Sequence, residues 1–195
     1  MRSTSTQNQI EAFKLTADRL QNFLNADHEI LGEIETSPYG FIIFCSFLVT
    51  AAYAPSKKFF PDTLVDRDEA DTEAFRQIVV RSLMDSLLGL HERALNLSET
   101  EKNEQFIEIE RQVVDLLEQQ YTRYYGFFCR DVSRLAENRT NPYAELSESF
   151  LVDILGLQGT SESRLVKFKA NLGLLLSTTI SGLMSFFAKP EGTDR

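Results

Sequence analysis

Two stretches without a single charged side chain, Thr36 to Ser56 and Ala170 to Ala188, limit what this chain can fold into more than any other feature. Each approaches the length needed to cross a bilayer, about 20 residues. Both are set in a sequence that otherwise alternates polar and apolar positions with helical spacing. The protein must therefore bury them against its own helices, or place them in lipid or against a bound molecule.

The stretches differ in detail. In the first, Phe41 to Ala54 is a continuous apolar core of only 14 residues, apolar on every side, which favours burial inside protein. The second is interrupted by Asn171, Ser177, Thr178, Thr179, Ser181 and Ser185. Those polar positions also favour a protein environment. Gly173, Ser177, Ser181 and Gly182 would let a neighbouring backbone come close, in water or in lipid.

Around them the spacing predicts four amphipathic helices. Helix one, about residues 6–36, carries a 3-4 repeat of Ile10, Phe13, Ala17, Leu20, Leu24, Leu31 and Ile34, with Asp27 as its polar interruption. Such a repeat lays a helix along a partner helix, in this chain or in a second copy. Ser37-Pro38 caps and starts helix two, 38–54, which stops before Pro55. After a loop over 55–65, helix three runs over 66–96, with Phe75, Ile78, Val79, Leu83 and Leu87 inward. A capping box at Ser98 and Glu101 starts helix four, 99–137. Its inward face is expected to hold Phe106, Ile109, Val113, Leu116, Leu117, Tyr121, Tyr124, Phe128, Val132 and Leu135, with a bend at Gly126. Asn141-Pro142 is expected to cap helix five, 142–155, closed by Gly156. Helix six covers 161–188 and ends before Pro190, with Leu165, Leu172, Leu176, Leu183 and Phe186 on one stripe.

The expected fold is all-α, a single-domain helical bundle of about six helices spanning 1–195, with the two apolar helices central and flexible termini at 1–6 and 189–195. Nine glycines and five prolines in 195 residues are too few for a strand-and-turn fold of this size.

The net charge of −9 makes nucleic acid an unfavourable partner, since a phosphate backbone calls for surplus Lys and Arg. The acids concentrate in residues 66–153, 19 against 10 bases, whereas residues 164–195 carry five bases and two acids. The C-terminal helix is thus both apolar and basic, a combination suited to an anionic membrane surface or to docking on the acidic helices. No apolar signal core precedes helix one, and Cys45 and Cys129 read as small buried thiols, so a cytoplasmic, reducing location is expected.

Chemistry-bearing patterns are few. The acids at 66–73 begin like a calcium loop but lack its central glycine and closing bidentate acid, and acids suit the start of helix three. His28 and His91 are preceded three residues earlier by Asn25 and Leu88, not by the glutamates of a bundle di-iron site. Neither cysteine sits in zinc-ligand spacing. No catalytic residue and no metal ligand is assigned. Arg123, Arg130 and Arg134 share a face with Phe127, and are expected to pair with acids of their own or a neighbouring helix rather than hold an anion.

Tyr121-Thr122-Arg123-Tyr124 with Gly126 resembles a fragment of the distal helix of haem oxygenases, and a histidine, His28, lies on helix one as that family requires. The resemblance implies a haem held by His28 against Tyr121, Tyr124 and Phe128. It covers five positions and departs from the family where Phe127 and Phe128 replace its glycine-rich continuation. The expectation taken forward is a helical interaction or regulatory protein without catalytic activity or cofactor, binding a protein partner or a second copy through helix one. Membrane association through helix six, or a hydrophobic ligand or haem in the bundle, are the alternatives.

Overall fold

The computed structural model describes residues 4–26, 36–53, 69–91, 99–136, 142–157 and 163–188. Six helices follow in order: α1 (Thr4–Ala26), α2 (Pro38–Tyr53), α3 (Glu69–His91), α4 (Glu99–Ala136), α5 (Ala144–Asp153) and α6 (Ser163–Ala188). The protein is an all-α helical bundle, and no strand occurs among the described residues.

The axis of the bundle is α2. It packs against α1, α3, α4 and α6, and every residue from Ile43 to Val49, with Ala51 to Tyr53, is buried. A helix with no polar face has no side to offer water, so its neighbours close round it. Its polar atoms are satisfied inside: the Ser46 hydroxyl donates to the Ile43 carbonyl at 2.9 Å, and Thr50 donates to the Ser46 carbonyl at 2.9 Å. Rings from α4 and α5 meet on it. Phe44 packs edge-on against Tyr124 and Phe150, at 5.3 and 5.1 Å between centroids, and Phe47 touches Tyr121, Tyr124 and Phe128.

The start of α2 is built as the sequence indicates. Ser37 Oγ accepts the Gly40 N–H at 3.2 Å, while the Ser37 N–H donates to the Ile154 carbonyl at 2.8 Å, tying this start to the end of α5. That end is closed as expected. Gly156 adopts φ 66°, and the Leu157 N–H reaches back six residues to the Leu151 carbonyl, so the chain turns off the helix through a left-handed glycine.

The beginning of α5 departs from expectation. Pro142 and Tyr143 form a turn and the helix starts at Ala144; Asn141 lies outside the described residues. Tyr143 sits in the left-handed region (φ 52°, ψ 41°) and supplies no side-chain cap. The cap comes from α4. Asp131, almost fully buried, accepts the N–H of Glu145 at 3.1 Å and of Leu146 at 3.0 Å. Burial pushes the Asp131 carboxyl above its ordinary range, and these N–H groups together with Arg134 pull it back. Asp131→Ala leaves two donors at the α5 start unpaired, and should lower unfolding stability by about 2 kcal/mol in urea titration. Asp131→Asn, which keeps an acceptor, should cost less than half of that.

Two further expectations change. First, α4 continues as one helix through Gly126, about 57 Å long at ~1.5 Å per residue. Phe106 and Leu116, expected inward, are exposed, because the narrow contact of α4 with α2 and α3 is already filled by Val113, Leu117, Tyr124 and Phe128. Second, α6 is buried on one side only. It contacts α2 and α5 closely and α1 only lightly, so among the described residues one side stays uncovered.

The 3-4 repeat of α1 is spent inside the chain. Leu20 and Leu24 are buried, and Ile10, Phe13 and Ala17 pack against the same core. Asp27, Leu31 and Ile34 lie outside the described residues. Leu20→Lys would therefore disturb folding before it could report on self-association.

Candidate functional site: the uncovered side of α6

The described residues of the expected cofactor set, Tyr121, Tyr124 and Phe128, do not surround an open space. His28 lies outside the described residues. Tyr124 and Phe128 are buried core rings around Phe47, and Phe128 also stacks on Tyr143 at 6.0 Å. Tyr121 packs on Phe47 and donates its hydroxyl to Ser46 Oγ at 2.7 Å. Its outer edge borders a shallow cleft with Thr50, Ala51 and Tyr125. The belt read as a ligand wall is the packing between α2 and α4. An aromatic helix face has the same spacing in either role.

Burial raises the hydroxyls of three tyrosines, Tyr121 and Tyr143 to about 12 and Tyr124 further still. A raised acid pKa means the folded state holds the proton more tightly than the unfolded chain. That stability is fully present below about pH 10, the ordinary tyrosine value, and is lost as pH rises through 12. Absorbance at 295 nm should show these three tyrosines ionising only together with loss of helical circular dichroism. Stepwise ionisation in a folded chain would contradict their burial.

The arginine stripe behaves as expected. Arg123 pairs with Asp153 at 2.9 Å, and Arg130 and Arg134 each pair with Glu145 at 2.7 Å. Arg123 and Arg130 flank the Phe127 ring at 5.4 and 5.0 Å. These cations hold α5 against α4 and are spent on acids of the chain. Among the described residues, no three His, Cys, Asp or Glu side chains gather as a metal site, and both cysteines are free thiols.

What the described residues leave open is the outer side of α6. Ala170, Asn171, Leu174, Thr178, Ser181, Gly182, Ser185 and Ala188 face solvent, with no charge among them. Leu174 is 57% exposed, and Val166, one turn before Ala170, is 63% exposed. The opposite side is buried through Leu165, Phe168, Leu172, Leu176, Ile180 and Leu183. Gly173 marks that side: a Cβ there would stand 2.3 Å from the Pro142 carbonyl oxygen, so only glycine lets α6 cross the start of α5. Lys169, at the edge, pairs with Glu148 of α5.

Where α6 diverges from α1, a cleft of about 460 Å³ opens. Its walls are Leu15, Leu183 and Phe186, and Thr179 and Gly182 lie along its α6 side. Leu15 is 54% exposed at its mouth. Sequence reasoning missed this feature. An exposed leucine in α1 and a glycine in α6 gain meaning only once the two helices are placed side by side. Segment Leu165–Ala188 is also long and apolar enough to cross a membrane, by length and composition alone.

No protein family model matches the chain, and neither a curated protein nor a solved structure matches it.

Proposed function

We propose that this protein is a non-catalytic helical interaction module of a reducing, cytoplasmic compartment, and that it docks a partner's amphipathic helix on the uncovered side of α6, beside Leu15 of α1. One observation supports the reading above others. Over 19 residues α6 turns an uncharged surface to solvent, while the exposed faces of α1 and α4 carry Glu11, Lys14, Asp18, Glu108, Arg111 and Asp115. Removing such a surface from water breaks no ion pair. The row Ala170, Leu174, Thr178 and Gly182, spaced by four, forms a shallow ridge with small residues at three positions, which suits close approach of a second helix.

A bilayer is the second reading, favoured by the length and apolar composition of α6. Asn171, Ser181 and Ser185 on the bare side weigh against it. Lipid tails offer such groups no hydrogen bonds, whereas a partner helix can. A second copy of the chain is the remaining occupant.

A photo-crosslinking side chain at Thr178, compared with one at Gln112 on the charged face of α4, tests the proposal in cells. The reading expects a discrete protein adduct from position 178 and none from 112. Equal adducts at both positions, or none, would overturn it. Adducts confined to lipid, with flotation on anionic vesicles at low salt, would move the assignment to the membrane.

A further inference from the structure

We infer that the outer groove between α3 and α4 is a self-pairing surface, on which a second copy of this chain docks about a two-fold axis. The groove holds about 640 Å³, room for side chains of another molecule. Its floor is Val80 and Met84 of α3, both buried, and Phe106 of α4 stands on its far wall. Phe106 is 40% exposed, and Ile107, next to it in α4, is 67% exposed. Two adjacent large apolar side chains thus project beside a hollow with an apolar floor.

The charges of the groove point to the same partner. Arg81 of α3 and Glu110 of α4 line it together, and among the described residues neither makes an ion pair. Their neighbours on the two helices behave differently. Arg76 pairs with Glu118, Arg111 with Glu108 and Asp115, Arg123 with Asp153, and Arg130 and Arg134 with Glu145. One cation and one anion are therefore left over, one on each wall of the groove.

A surface with a projecting ring beside a hollow, and a cation on one helix with an anion on the other, is complementary to itself. A two-fold that lays α3 of one copy over α4 of the other seats each Phe106 in the opposite groove. It also sets each Arg81 against Glu110 of the partner subunit, so every feature is used twice. A foreign partner would need to match only half of this. Aromatic anchors in fitted hollows dominate such contacts, and the flanking charges fix their register. The α1 repeat, spent inside the chain, is not available for this role.

Sedimentation equilibrium of the purified chain should show a reversible monomer–dimer equilibrium in the micromolar range. Arg81→Glu leaves the groove with two anions and Glu110→Arg leaves it with two cations, so each variant alone should dimerise at least about tenfold more weakly. An equimolar mixture of the two should dimerise as tightly as the wild type, because both opposite-charge pairs reform across the axis. Phe106→Ser, at an exposed position, should leave the chain monomeric with an unchanged helical spectrum. A photo-crosslinking side chain at Ile107 should give an adduct of twice the chain's mass. A wild-type chain that stays monomeric to millimolar concentration, or a mixture no tighter than its single variants, overturns the assignment. So do adducts at position 107 with a different protein or with lipid in place of a second copy. The groove shares no residue with the docking face of α6 and Leu15, so either proposal can fail and leave the other intact.

Discussion

Phe44→Ala should reduce unfolding stability by about 3–5 kcal/mol, the range for emptying a fully buried aromatic site. Phe44 is fully buried in the middle of α2, where its ring meets Tyr124 of α4 and Phe150 of α5 edge-on. Its removal therefore deletes the contact joining three helices and leaves a cavity that the flanking rings cannot fill without leaving their own partners. Chemical denaturation read by circular dichroism checks this. Phe44→Leu, which keeps most of the volume, should recover more than half of the loss. If Phe44→Ala shifts the midpoint no more than an exposed change such as Gln112→Ala, then α2 is not the interior of the bundle.

Gly173→Val should be nearly as damaging, at about 3 kcal/mol, the upper part of the range for overpacking. The atom in the way is the main-chain oxygen of Pro142, which has no rotamer to escape into, and it belongs to the turn that Tyr143 completes with a left-handed backbone. To admit the side chain, α6 must move away from α5, disturbing Leu172 and Leu176 beside it. Gly182→Ala offers the contrast. A Cβ there meets only Arg19 Nη1 at 3.8 Å, so stability should stay equal or rise slightly through the gain in helix propensity. Equal effects at the two glycines would mean that α6 is covered on both sides.

The contrast between α2 and α6 shows what the sequence could and could not supply. Burial of α2 is legible because a helix with Phe, Ile, Val and Ala on every side has no alternative in water. The stripe of Leu146, Phe150, Leu151 and Ile154 is legible for a related reason: one apolar face needs one cover. For α6 the pattern is ambiguous. Its uncharged residues say that either side could be buried, and only packing against α2 and α5 selects the Leu172–Leu176 side. The Asp131 cap on α5 was hidden because donor and acceptor lie 14 and 15 residues apart, across a turn whose geometry no local pattern encodes. Tyr121, Tyr124 and Phe128 were visible as an aromatic belt, but whether such a belt encloses a ligand or a phenylalanine depends on what α2 places opposite, here Phe47.

The most direct test of the account is hydroxyl-radical footprinting along α6, on the purified chain and inside cells. Leu172 and Leu176 should resist oxidation in both settings, being buried by α2 and α5. Leu174 and Val166 should oxidise readily in the purified protein and, if the proposed partner helix docks there, become protected in cells. Equal oxidation of Leu174 in both settings would contradict the account, because it would leave the bare side of α6 without an occupant.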